Sequence, residues 1–160
     1  SYPLININCQ DGNGETALFQ AIKQKNEKVI SLLLNIKDSA TNKLKIDVTI
    51  SNKVGKNVLH LCTEMQYLEP IKKIVYLILK KQLFDSEQSL VNLESFINQK
   101  SNDFGLTPLI IAIKESNLEI LKFLVEHGAN INEFSADNTC APLILAFKKN
   151  NPDIVNYLLS

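Results

Sequence analysis

The sequence predicts an all-α fold, a solenoid of about four stacked helix pairs joined by short β-hairpin loops. Three observations carry this reading. The stretch from Asn102 to Asn132, NDFGLTPLIIAIKESNLEILKFLVEHGANIN, holds in order a turn, a short helix, a second helix and a glycine stop. The same pattern recurs, anchored at Thr16, Asn57, Thr107 and Ala141. Two helices of roughly ten residues cannot bury their apolar faces alone, so each unit requires stacked neighbours.

Within that stretch, Asp103 and Gly105 supply turn chemistry, and Thr107-Pro108 opens a helix as a cap followed by proline at the first helical position. Leu109, Ala112 and Ile113 fall on one face of this helix. Asn117 interrupts the pattern. Ile120, Leu121, Phe123, Leu124 and Val125 then form a second stripe at helical spacing, and Gly128 stands where a left-handed helix end is wanted.

These residues resemble the ankyrin repeat, whose D-x-x-G-x-T-P-L-H-x-A motif, second helix and G-A-D-V-N close are matched by Gly105, Thr107, Pro108, Leu109, Ala112, Gly128, Ala129, Ile131 and Asn132. Ile110 replaces the motif histidine, and Ser116 replaces the usual glycine between the helices. The resemblance implies a single domain over 1–160, with repeats at about 11–35, 52–80, 102–132 and 136–160.

The chain bears this out element by element. Residues Ser1 to Cys9 read as the tail of a preceding repeat, because Ile7-Asn8 precedes the first turn as Ile131-Asn132 precedes the last. Asp11 to Gly14 form a hairpin tip; Thr16, Ala17, Leu18, Ala21 and Ile22 give a first helix, and Val29, Ile30, Leu32, Leu33 and Leu34 its partner. The anchors lie 41 (16 to 57), 50 (57 to 107) and 34 (107 to 141) residues apart, against a family period of about 33. Connections at about 36–43 and 81–94 are therefore expected to be enlarged. The second-helix stripes, begun at Val29, Ile74, Ile120 and Ile154, place four further residues around Tyr67 to Pro70. The apolar residues of 83–96 imply a helix extension or a short extra helix. In repeat two, Asn57-Val58-Leu59-His60 stands for T-P-L-H, and Cys62 takes the small-residue position of Ala21, Ala112 and Ala146. Repeat four has Thr139 where glycine is expected, which implies a distorted turn, and it ends at Leu158-Leu159-Ser160 without a polar cap. Both ends imply a fragment of a longer array within a larger chain.

Composition narrows the function. Basic and acidic residues balance at 17 each, and every basic residue is lysine, so neither nucleic acid nor a membrane surface is expected as a partner. No apolar run reaches the ~18 residues that a membrane span requires. The three cysteines, Cys9, Cys62 and Cys140, have no C-x-x-C spacing, so neither a disulfide framework nor a metal site is expected. A reducing compartment, cytoplasm or nucleus, follows from that.

No phosphate loop, dinucleotide fingerprint or H-E-x-x-H occurs, and the histidines, His60 and His127, stand at framework and helix-end positions. Neither catalysis nor a cofactor is expected. What remains is a surface. By resemblance, ankyrin repeats hold another protein or peptide with hairpin tips and a concave face of first helices. Those positions fall here on Asn13, Glu15 and Lys23, then on Lys53, Val54, Lys56, Glu64 and Met65. In the later repeats they fall on Asp103, Phe104, Leu106, Lys114 and Glu115, and on Asn138 and Lys148. Framework positions recur because each must fit one stack, whereas these change from repeat to repeat as solvent-facing or partner-facing residues do. The expected function is a protein-interaction module, with an inhibitor resembling the IκB group and the recruiting arm of an enzyme or secreted effector as alternatives.

Overall fold

Seven-residue first helices and longer second helices alternate along the chain, as the spacing requires. A computed structural model describes residues 5–37, 45–84, 92–135 and 141–160. Among them lie nine helices and no strand. The first helices are α1 (Ala17–Lys23), α3 (Val58–Glu64), α6 (Pro108–Lys114) and α8 (Pro142–Lys148). Their partners are α2 (Glu27–Asn35), α4 (Leu68–Phe84), α7 (Leu118–Glu126) and α9 (Pro152–Leu159), and α5 (Leu93–Ile97) lies between the second and third pairs. Each first helix packs on its own partner and on the first helix of the next repeat, α1 on α3, α3 on α6 and α6 on α8.

The caps explain where these helices begin. Asn57 and Thr107 accept backbone N–H bonds from His60 and Ile110, three residues on. Asn26, Asn117 and Asn151 cap the second helices identically, each accepting the N–H three residues later at 3.0–3.2 Å. In repeat two the equivalent residue is Tyr67, which cannot cap. Its hydroxyl instead donates to Glu27 of repeat one at 3.1 Å, with the Lys25 ammonium 5.8 Å from its ring.

The four residues expected to be added at Tyr67 to Pro70 are not there. Every second helix starts eleven residues after its anchor (27 after 16, 68 after 57, 118 after 107, 152 after 141). Pro70, itself buried, holds the place of Ile120 and Ile154, thirteen residues after the anchor, and the fully buried Ile71 follows as the counterpart of Ile30 and Leu121. The length of α4 is added at its other end, 17 residues against nine in α2 and α7. Helix therefore reaches Phe84, and α5 resumes at Leu93 with Leu93, Phe96 and Ile97 buried. The remainder of the two expected enlargements, 38–43 and 85–91, and the turn around Thr139 lie outside the described residues.

The link between paired helices is the same four times. Lys25, Gln66, Ser116 and Asn150 each have φ between 50° and 57°. The residue after each donates its N–H back to Ala21, Cys62, Ala112 or Ala146, and the left-handed residue donates to Ile22, Thr63, Ile113 or Phe147. This is the paired-bond helix stop that glycine usually closes. Cys62 is thus a small residue in a crowded turn, and its burial pushes its thiol well above the ordinary range.

One further regularity governs the stack. Phe19, His60 and Ile110, three residues after the anchors, are buried, as are Ile22, Thr63 and Ile113, six residues after. Their counterparts in α8, Ile144 and Phe147, are 53% and 60% exposed, and Leu159 of α9 is exposed too. No following first helix covers them among the described residues.

Two outcomes check this account. Leu124, fully buried in α7, should cost about 2 to 5 kcal/mol on substitution by alanine, read as a lowered midpoint in chemical unfolding. Glycine at Lys25, Gln66 or Ser116 should stabilise by about 0.5 to 1 kcal/mol each, because a side chain in the left-handed region costs more than the extra freedom glycine gives the unfolded chain. A fall in stability in all three glycine variants would contradict that assignment.

Candidate functional site

The hairpins that precede the first helices are joined into a ladder. Asp11 and Asn52 each close a five-residue hairpin, their N–H donating to the carbonyls of Glu15 and Lys56 at 2.9 Å. Their side chains then accept two backbone N–H bonds apiece, Asp11 from Asn13 and Glu15, Asn52 from Val54 and Lys56. Those bonds hold the Asp11 carboxyl below its ordinary range. Successive tips join through Lys53 N–H to the Asn13 carbonyl at 3.0 Å and Asn102 N–H to the Val54 carbonyl at 2.8 Å. The approach is close enough that a Cβ on Gly14 would lie 2.8 Å from the Lys53 nitrogen, and one on Gly55 2.6 Å from the Asn102 side chain.

The third hairpin differs. Its closing bond runs from Ser101 N–H to the Leu106 carbonyl at 3.0 Å, which encloses one residue more than in the first two. The Ser101 hydroxyl accepts from Leu106 N–H and donates to Asp103, whose carboxylate also accepts from Phe104 N–H. Burial works against that carboxylate, yet the Ser101 and Phe104 bonds and the Lys56 charge hold it below its ordinary range. Phe104, on this longer tip, is 65% exposed.

Several residues expected to face a partner do not. Glu15 is buried, and its carboxylate takes the Lys23 ammonium at 2.5 Å. Lys56, at the same place in the second repeat, is half-buried and pairs with Glu64 at 2.5 Å, so the charges are exchanged between the repeats. Leu106, third in that row, is buried in the core, which corrects the expectation that it lines an open face. Met65 is half-buried against the core. The row changes from repeat to repeat because it meets the far end of its own first helix, a cause that one sequence read without structure does not separate from solvent exposure. Asn13, Lys23, Lys53, Val54, Glu64, Asp103, Phe104, Lys114, Glu115 and Lys148 are exposed, and Asn138 lies outside the described residues.

A buried polar junction, missed as such in the sequence, fixes the second hairpin to the third. His60 Nδ1 accepts Asn57 N–H at 3.2 Å, and its Nε2 meets the Leu106 carbonyl of the next repeat at 3.0 Å. The Asn57 amide donates to the Phe96 carbonyl at 2.9 Å and to the Gln99 side chain at 3.0 Å. Gln99 in turn donates to Ser51 and to the Gly55 carbonyl. Both ring nitrogens are thus engaged in the framework. Burial lowers the His60 pKa to about 4, against the opposing effect of the Leu106 carbonyl. No group of three or more metal-ligating side chains converges among the described residues.

A family model described as ankyrin repeats, in three copies, matches residues 3–85 and 76–160. The chain belongs to the ankyrin-repeat family. It is similar to the "Transient receptor potential protein" of Drosophila melanogaster, 30% identical over 127 residues that cover 78% of this chain and 8% of that protein. It is equally similar to the "Short transient receptor potential channel 4" of mouse and of human, 30% identical over 131 residues, or 81% of this chain and 11% of theirs. The ankyrin chain thus spans about a tenth of the length of these relatives. No described helix is long and apolar enough to cross a membrane.

The junction has a pH signature. Because the folded state favours neutral His60, its contribution is complete above the unfolded pKa of about 6.5 and is lost as pH falls toward 4. Asp11, Asp103 and Glu133, all held low, begin to lose their contributions only as pH falls below about 5 toward the ordinary carboxylate range. Between pH 6.5 and 5 the protein should therefore lose about 1.5 kcal/mol, and a His60→Gln variant much less, as read by urea unfolding at each pH. Equal slopes for the two proteins would exclude His60 as the cause.

Proposed function

We propose that this ankyrin array is a protein-interaction module that engages another protein or a peptide through its hairpin tips and the outer side of its first helices. Rigid display is its mechanism. The observation that carries the reading is the third hairpin, where a phenylalanine stands outward on a tip fixed at both ends by backbone hydrogen bonds, while the adjacent Leu106 fills the core. Phe104 therefore gains little from the fold and offers its ring to a partner. Val54, exposed on the neighbouring tip and joined to it through Asn102, widens the apolar centre. Aromatic side chains held on rigid supports are the usual anchors of interfaces, and neither arginine nor tryptophan is present in this chain. Asn13, Lys53, Glu64, Glu115 and Lys148, exposed on the tips and first-helix ends, supply polar groups for its rim.

The likeness to segments of channel proteins supports a second reading, that the module works within a larger membrane protein and contacts other parts of it. Under both readings this stretch recognises a partner and performs no chemistry. The IκB-like and enzyme-arm readings have no further observation in their favour.

Phe104→Ala should weaken partner binding by about 1 to 3 kcal/mol and leave the unfolding midpoint nearly unchanged. Isothermal titration with the partner, beside thermal unfolding of the free variant, separates the two effects. A variant that melts earlier yet binds with full affinity would place the ring in packing instead.

A further inference from the structure

The charge pairs on the first-helix side are not completed along the whole stack. In repeats one and two the residue before the anchor neutralises the residue seven after it, Glu15 with Lys23 and Lys56 with Glu64. In repeat three that preceding residue is Leu106, uncharged and buried, and in repeat four it is Cys140. Lys114 and Lys148, the counterparts of Lys23 and Glu64, are both exposed and make no ion pair among the described residues. Lys149 is exposed at the next position, and Lys53 is exposed on the second tip with no carboxylate partner among the described residues. Against these stand Glu115, also exposed, and Asp103, whose carboxylate is occupied by Ser101 and Phe104. α6 packs on α8, and Lys114 and Lys148 hold the same place at the ends of these two helices, with the hairpin that carries Phe104 preceding α6.

We infer that the partner of this module is an acidic protein segment with an apolar side chain, docked across repeats three and four so that the apolar group meets Phe104 and Val54 while its carboxylates meet Lys114, Lys148 and Lys149. The inference rests on the interaction reading above and adds the chemistry of the partner. Complementary charge suits this half of the stack because its lysines have no ion-pair partner among the described residues to give up, whereas an acidic segment over repeats one and two would have to displace Glu15 or Glu64. The balanced charge of the whole chain favours a local acidic ligand over a polyanion held by a broad field.

The test uses short random peptides displayed on phage and selected on the immobilised protein, followed by synthesis of the strongest binder and of its counterpart with every Asp and Glu replaced by Asn and Gln. Binders that depend on Phe104 should be acidic with an apolar residue, and the amide counterpart should bind about tenfold more weakly. The triple variant Lys114→Gln, Lys148→Gln, Lys149→Gln should lose a similar factor for the acidic peptide and almost nothing for the amide peptide. The arginine triple variant should retain binding, and Lys28→Gln on α2 should change nothing. Raised salt should weaken only the acidic peptide, as screening demands. Phe104-dependent binders that are neutral or basic, or equal affinity for both peptides, would overturn the acidic assignment and leave the interaction reading standing. Binding indifferent to Phe104→Ala would remove both. Tighter binding of single-stranded oligothymidine than of the acidic peptide, lost in the glutamine triple variant, would assign the lysines to nucleic acid instead.

Discussion

Every feature of this chain depends on burial between neighbouring repeats. A seven-residue helix makes too few internal hydrogen bonds to be stable by itself, and its apolar face is too small to close a core. Stability comes from α1 on α3, α3 on α6 and α6 on α8, which turn four weak units into one continuous interior. That constraint selects the residues three and six after each anchor for burial, whatever their chemistry. It also explains why Ile144 and Phe147, obeying the same register, are the largest exposed apolar groups on α8.

The same constraint accounts for the tolerance shown by the second repeat. It lacks the proline and the threonine cap of repeat three and the asparagine cap that both its neighbours have on the second helix, yet the geometry holds because polar bonds across the stack take their place. His60 and Asn57 reach the third repeat, and Tyr67 reaches back to the first. An unpaired imidazole or amide at that depth would be costly, so the network must be complete, and no buried side-chain polar atom among the described residues lacks a partner. A similar asparagine clasp holds the loops that follow the second helices. Asn8 bonds the Lys45 carbonyl and Asp47 N–H, and Asn98 does the same for Gly128 and Asn130.

In the proposed reading, recognition belongs where this framework stops making demands. The row before each anchor is largely spoken for, by an ion pair in the first two repeats and by the core in the third, so its variation reflects internal compensation. Once Leu106 enters the core, Lys114 loses the partner that its counterparts have, and that hairpin, one residue longer, carries Phe104 exposed. A single local change thus accompanies both an exposed phenylalanine and a lysine without an ion pair among the described residues.

The sequence by itself determined the repeat, its helical class, the anchor positions and the small residue at Cys62, because all of these follow from local periodicity and from turn chemistry encoded within a few residues. It also located Phe104 on a tip, between an aspartate and a glycine. Only the tertiary structure decided the true start of the second-helix stripe at Pro70 and Ile71, the left-handed Lys25, Gln66 and Ser116, and the burial of Glu15 and Leu106. In each of these a side chain's environment is set by residues of another helix or another repeat, and no local pattern records which neighbour will cover it.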